Sequence, residues 1–317
     1  MKWKKLGKIF EFEKSPFSKR FFSHAQSPQV MVFDDFLRIY FSTRKKDKDS
    51  FISYPQYIDY SKDFSNILSY SKGEIISRGK LGCFDEHGIF PFSPMRYQNK
   101  IYSYISGWSR RASVDVESSV GLVISEDGGE TFQRIGNGPV LSSSLHEPFL
   151  IADSFVKCFD EKFYMYYIYG EKWCEATKDH APERVYKISY ALSDDGVNWK
   201  KSGKRIIPDV IDENECQALP TVIKIDSRYH MYFCYRHMIG FREEKDKGYR
   251  LGYAYSDDLI NWVRDDENCG ISPTPNSWDS DMMCYPNLFE MEGNVYLLYN
   301  GNNFGKTGFG LAKLVKD

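Results

Sequence analysis

The chain has 317 residues and a mass of 37.0 kDa, enough for one large domain or two ordinary ones. Its 23 Tyr, 23 Phe and 6 Trp make it 16% aromatic and 42% hydrophobic, which excludes a disordered chain, a coiled coil and a low-complexity protein. Lys+Arg 42 against Asp+Glu 44 leaves a net charge of -2, so no general attraction draws it to nucleic acid or to an anionic membrane.

No apolar run approaches the roughly 18 to 20 residues that cross a bilayer. The start, Met1 to Phe10, is basic, and no apolar stretch with a small-residue cleavage site follows it. Seven cysteines form no Cys-x-x-Cys pair; they read as reduced thiols, which points to the cytoplasm.

Along the chain one unit recurs: a proline, an apolar stretch, a polar turn, then a strand rich in Tyr and Phe. After a first strand-like segment, Trp3 to Phe12, Ser27-Pro28-Gln29-Val30 leads to Arg38-Ile39-Tyr40-Phe41. Ser93-Pro94-Met95-Arg96 then leads to Ile101-Tyr102-Ser103-Tyr104, and Glu147-Pro148-Phe149-Leu150 to Phe163-Tyr164-Met165-Tyr166-Tyr167. Leu219-Pro220-Thr221-Val222 leads to Tyr229-His230-Met231-Tyr232-Phe233, and Tyr285-Pro286-Asn287-Leu288 to Val295-Tyr296-Leu297-Leu298-Tyr299. The prolines step by 66, 54, 72 and 66 residues.

A second motif follows the aromatic strand. It reads Tyr190-Ala191-Leu192-Ser193-Asp194-Asp195-Gly196-Val197-Asn198-Trp199, and again Tyr253-Ala254-Tyr255-Ser256-Asp257-Asp258-Leu259-Ile260-Asn261-Trp262. Ser125-Glu126-Asp127-Gly128-Gly129-Glu130-Thr131-Phe132 has the spacing of an Asp-box, and Tyr60-Ser61-Lys62-Asp63-Phe64 is a worn copy. A strand, an Asp/Gly turn and an anchoring aromatic make a hairpin. Each period therefore holds about four short strands, and radial repetition of four-stranded sheets is a β-propeller. The expected fold is all-β: a single five-bladed propeller domain of four-stranded antiparallel blades around a central channel. The fifth copy ends at Gly308-Phe309-Gly310-Leu311-Ala312 without an outer strand, which the N-terminal strand would supply to close the ring.

Residues just before the prolines should face one mouth of that channel. They are rich in polar groups: His24-Ala25-Gln26-Ser27, Asp85-Glu86-His87-Gly88, His146-Glu147, Glu213 to Gln217, and Trp278 to Tyr285. With this arrangement the chain resembles the five-bladed glycoside hydrolase families 43 and 32 and the mannoside-phosphorylase family 130. Glu215-Cys216 is similar to the Glu-Cys pair that carries the general acid in family 32. Glu147-Pro148 stands, shifted, where that family has Arg-Asp-Pro, and Asn300-Gly301-Asn302-Asn303-Phe304-Gly305 resembles the end of the last inner blade. One departure stands out: where families 32 and 43 place an Asp at the head of blade one, this chain has His24, Gln26 and Ser27.

The resemblance implies glycosidic-bond chemistry on a sugar or oligosaccharide, with Glu215 as general acid. Asp85 or Asp281 would orient water as base. His24, Gln26, His87 and Asn302 would bond sugar hydroxyls, since amides and imidazoles both donate and accept. Trp108, Trp173 and Trp278 would offer flat apolar faces. Glu147, Asp279, Tyr285 and Asn300 complete the expected carbohydrate-binding set. Arg236 and Arg250 would hold a phosphate or a sugar carboxylate bidentately, which opens a phosphorylase or glycosyl-transferring alternative, and a non-catalytic carbohydrate-binding propeller is a third. No metal or other cofactor is expected: the histidines show no zinc spacing and no phosphate-cradling glycine loop is present.

Overall fold

The computed structural model describes residues 1–48, 50–178 and 180–315. Twenty strands carry almost all of the regular structure. They are β1 (Trp3–Glu11), β2 (Ser23–Val32), β3 (Leu37–Asp47), β4 (Ser50–Tyr60), β5 (Ile67–Tyr70), β6 (Gly88–Tyr97) and β7 (Lys100–Ser109). Next come β8 (Glu117–Ser125), β9 (Gln133–Arg134), β10 (Ile151–Phe159), β11 (Lys162–Cys174), β12 (Glu183–Ser193) and β13 (Lys200–Lys201). The remainder are β14 (Cys216–Ile225), β15 (Arg228–Arg236), β16 (Arg250–Ser256), β17 (Val263–Arg264), β18 (Cys284–Met291), β19 (Asn294–Asn300) and β20 (Gly308–Leu314).

Strands β10 to β13, β14 to β17, and β18-β19-β20-β1 form separate four-stranded antiparallel sheets. An eight-stranded sheet holds β2 to β9, and its two antiparallel runs meet only at a parallel bridge between Ser53 and Gly88. The first strands pack in a closed cycle, β2 on β6, β6 on β10, β10 on β14, β14 on β18 and β18 on β2. Strand β1 pairs antiparallel with β20, Trp3 opposite Leu314, so the chain's beginning completes its last sheet. No helix among the described residues is long and apolar enough to cross a membrane.

The Asp turns join the third and fourth strands of four runs. In each, the Ser hydroxyl donates to the Asp, which accepts backbone N–H groups across the turn: Ser125 and Asp127, Ser193 and Asp195, Ser256 and Asp258. The worn copy, Ser61 and Asp63, does the same. The sheet completed by β1 has no such turn because its fourth strand arrives from elsewhere in the chain.

The aromatic second strands latch each sheet to the next. Tyr40 of β3 donates to the Gly129 carbonyl at 2.7 Å, Tyr104 of β7 to Gly196 at 2.8 Å, and Tyr166 of β11 to Leu259 at 2.7 Å. The anchoring rings stack edge-on against those tyrosines, Phe132 on Tyr40, Trp199 on Tyr104 and Trp262 on Tyr166. At the closure Trp3 replaces the turn aromatic: it packs on Tyr232 and its indole N–H donates to that hydroxyl at 2.8 Å. A buried hydroxyl must find a partner, so these tyrosines fix the angle between sheets as well as filling the space between them.

The proline register needs one correction. Every first strand carries a bulge that skips two residues of the ladder: Ser27-Pro28, Phe90-Pro91, Asp153-Ser154, Leu219-Pro220 and Tyr285-Pro286. The equivalent positions thus step by 63, 63, 66 and 66 residues. Pro94 and Pro148 are not the counterparts of Pro28; Pro91 and Ser154 are. A bulge tolerates proline because the skipped residue gives no ladder hydrogen bond.

Candidate active site

The bulges re-aim their residues toward the axis. Ser27, Asp153, Leu219 and Tyr285 hold left-handed φ of 52°, 54°, 46° and 57°, a conformation costing of order 1–3 kcal/mol unless its surroundings enforce it. Each bulge N–H is satisfied by a neighbour: Ser27 by Asn300 Oδ1, Asp153 by Ser106 Oγ, Leu219 by Asp153 Oδ2, Tyr285 by Cys234 Sγ. Above them opens a cavity of about 620 Å³, with Phe90, Asp153 and Tyr285 in its floor.

Asp153 is the one acid at the five bulge positions. Its Oδ2 accepts the Leu219 N–H at 3.3 Å, and Oδ1 has no hydrogen-bond partner among the described residues. Burial pushes its carboxyl up to about 7, against the opposing pull of the Leu219 N–H and Arg184. A carboxylic acid poised there is equipped to donate a proton at neutral pH. Beside it, the Tyr186 and Tyr249 hydroxyls meet at 2.5 Å, and Arg236 Nε donates to Tyr186 at 3.1 Å.

Six arginines line the same cavity: Arg44, Arg110, Arg111, Arg184, Arg236 and Arg242. Those at the mouth are paired, Arg110 with Asp47 at 3.1 Å, Arg111 with Glu117 at 2.7 Å and Arg242 with Glu183 at 3.0 Å. Arg44, Arg184 and Arg236 have no carboxylate partner among the described residues. Arg236 is buried against the Phe241 ring and donates to the His237 and Met238 carbonyls. Arg184 lies over Trp173.

Of the residues singled out in the sequence, Gln26, Trp108, Arg236 and Tyr285 line this cavity. The carboxylates do not. Asp85 pairs with Arg134 of β9, Glu147 with Lys201 of β13 at 2.6 Å, Glu215 with Arg264 of β17 at 2.6 Å, and Asp279 with Lys5 of β1 at 2.5 Å. Each is an acid ahead of a first strand tied to a cation on the outermost strand of the same sheet. The first run inverts the pattern: Arg20, ahead of β2, donates to the Ser71 carbonyl just past β5. The recurrence that suggested a converging site therefore belongs to clamps within the sheets. Glu215 is wholly buried, and Arg264, Gln217, Val210 and Ile211 all donate to it, so neither oxygen is free to hand a proton to a ligand.

The other expected residues also have structural partners. Asp281 sits on the rim, held below the usual carboxylate range by Ser280 and Lys245. His24 bonds Ser23 at 2.6 Å, and burial lowers it to about 3. His87 accepts the Arg110 N–H at 3.4 Å behind Trp108. Arg250 donates to the carbonyls of Lys245, Tyr249 and Asp281. Asn300 ties Ser27 to Ala25 and Gly308, Asn302 accepts the Asp281 and Met282 N–H groups, and Trp278 stacks on Tyr299. Asp153, Arg44 and Arg184 escaped the sequence reading. Registering the third repeat on Ser154 instead of Pro148 would have found Asp153.

The architecture is that of the propeller glycosidases. BT0996, solved as an RGII complex, superposes with a TM-score of 0.73 at 18% identity, over 98% of this chain and 91% of that one. A thermostable family-43 glycoside hydrolase superposes with a TM-score of 0.65 at 15% identity, over 93% and 91%. The chain belongs to the family of the uncharacterized protein Rv1502 of Mycobacterium tuberculosis, to which it is 33% identical over 315 residues, 99% of each chain. The β-1,2-mannobiose phosphorylase of Thermoanaerobacter sp. is 29% identical over 138 residues, 41% of this chain and 43% of that one. No protein-family model matches the chain.

Proposed function

We propose that the chain is a five-bladed propeller enzyme that cleaves glycosidic bonds at the axial cavity with inorganic phosphate as acceptor. The observation that carries this reading is Asp153, a buried carboxyl group poised near neutrality beside a guanidinium, Arg184, that no acid among the described residues neutralises. Hydrolysis by two carboxylates needs a facing pair about 5 to 5.5 Å or 6.5 to 9.5 Å apart. Among the described residues, the other carboxylate lining the cavity is Asp115, exposed at the mouth. Phosphate brings its own nucleophile and needs one acid.

In this mechanism Arg184 and the Tyr186 hydroxyl hold the phosphate. A phosphate oxygen bonds to the anomeric carbon as the glycosidic C–O bond breaks, and the Asp153 proton passes to the departing oxygen. The products are a sugar phosphate, linked through the anomeric carbon, and a free alcohol or sugar; Asp153 then recovers its proton from solvent. Tyr285 and Trp108 supply flat faces for the ring, and Arg236 positions Tyr186. The partial likeness to a mannobiose phosphorylase supports the choice of phosphate. With all seven cysteines free, we place the enzyme in the reducing cytoplasm.

The test is phosphorus NMR of the protein with inorganic phosphate and a disaccharide panel that includes β-1,2-mannobiose. A new anomeric phosphate signal, lost in Asp153→Asn, supports the reading. Equal cleavage without phosphate would make the enzyme a hydrolase. Sugar binding without turnover of any disaccharide would leave a carbohydrate-binding propeller.

A further inference from the structure

Arg44 and Gln26 form a cluster that the phosphorolysis mechanism does not use. Both line the cavity, and both are placed by strands of the first run, Gln26 at the head of β2 and Arg44 on β3. Arg44 Nε donates to Gln26 Oε1 at 2.9 Å, which turns the amide N–H₂ away from the guanidinium. Gln26 is 2% exposed, and its Nε2 is buried with no partner. The two terminal nitrogens of Arg44 likewise have no hydrogen-bond acceptor among the described residues. Burial and Arg242 both disfavour the Arg44 charge; the Tyr285 phenol, raised by burial, is uncharged near neutrality, and His24, the nearby imidazole, is held neutral. A half-buried guanidinium without a carboxylate partner among the described residues, beside a buried amide donor with no acceptor, is costly unless an acceptor meets them.

Every free group in this cluster is a donor. A sugar hydroxyl both donates and accepts, and bonds as well to carboxylates and carbonyls, whereas a group that only accepts, with two or three oxygens in one plane or cone, matches an arginine fork plus an amide. We propose that Gln26 and Arg44 form a subsite for an anionic group carried by the glycoside itself, a sugar carboxylate or a sugar-bound phosphate or sulfate, distinct from the acceptor phosphate beside Asp153. The substrate class is then an acidic glycoside. This inference rests on the axial cavity being the glycoside site, and it is independent of whether phosphate or water is the acceptor.

Two measurements test it. Crystals soaked in tungstate, read by anomalous scattering, should show one ion within hydrogen-bond distance of Arg44 and Gln26 and a second beside Arg184. An ion at Arg184 alone overturns the subsite and leaves the phosphorolysis reading intact; an ion at Arg44 alone does the reverse. Calorimetric titration with D-glucuronate, D-glucose 6-phosphate and D-glucose then separates carboxylate from phosphate as the source. One of the two acidic sugars should bind at least about tenfold more tightly than glucose, and Arg44→Gln should remove that preference. Gln26→Glu guards against a folding defect: the new carboxylate should occupy the site itself, raise the melting temperature and abolish the acidic preference. Equal affinity for all three sugars, or an acidic preference that survives both substitutions, overturns the proposal.

Discussion

The rim of the sheets and the axis of the ring use the same residue types to opposite ends. On the rim, Asp85, Glu147, Glu215 and Asp279 each meet a cation on an outermost strand. At the axis, Arg44, Arg184 and Arg236 face a cavity with no acid partner among the described residues, and Asp153 has one oxygen with no hydrogen-bond partner among them. A saturated polar group holds a fold together, and an unsaturated one in a cavity is available to a ligand. Repetition marks the first kind here, and a break in repetition marks the second: four bulges carry Ser, Phe, Leu or Tyr, and one carries Asp.

The largest effect should come from the axis. Replacing Asp153 by Asn should lower turnover by about 10²- to 10⁴-fold, the usual worth of a general acid, while folding survives. Because burial raises this carboxyl, Asp153 keeps its proton in the native protein across pH 4 to 7, where it would lose it in the unfolded chain. The Asp153 contribution to stability should therefore fall as pH rises across that window, opposite in sign to that of His24, and it should be read as the pH-dependent difference between thermal melts of the native protein and of Asp153→Asn.

On the rim the contrast reverses. Glu215→Gln should cost about 1–3 kcal/mol, since it removes one of the two carboxylates that hold the buried Arg264 guanidinium, Asp266 being the other, yet the activity of each folded molecule should be unchanged. A Glu215→Gln protein that melts normally and is inactive would restore Glu215 as the acid and dissolve the contrast. Smaller still is the latch: Tyr166→Phe removes one buried hydroxyl bond to Leu259 and should cost ~1 kcal/mol, a fall of about 1–2 °C in Tm for a chain of this length. The smallest effect belongs to the turns. Asp63, Asp127 and Asp258 are held down at about 2 by the hydroxyl and N–H groups around them. Their stabilisation is present above pH 4 and is lost as pH falls from 4 to 2; Asp127→Asn should flatten that acid limb of a Tm-against-pH curve.

The fold was legible because its instructions are local and repeated. Ser-x-Asp turns, anchoring aromatics and Tyr-rich second strands each specify one hairpin and one neighbour, and they recur often enough to be counted. The site was only partly legible. Gln26 and Tyr285 stand out by their places ahead of the prolines, Trp108 as a flat apolar face and Arg236 as a cation following a strand, and all four line the axial cavity. Asp153 was hidden because its repeat lacks the marker proline, and Pro148 lies close enough to take its place in the alignment. Glu215 misled for a physical reason: a carboxylate ahead of a first strand looks the same in sequence whether it points to the axis or across the sheet to an outer strand.

The pairing of β1 with β20 sets how the ring responds to force. Trp3 lies opposite Leu314 and Glu11 opposite Gly308, so both chain ends leave from the same end of one antiparallel pair. Tension applied through the termini then opens that ladder one rung at a time, like a zipper, where tension on opposite ends would load all the rungs together. The Trp3 latch on Tyr232 takes the load near the start. The seam that closes the circle is thus where the ring is mechanically weakest.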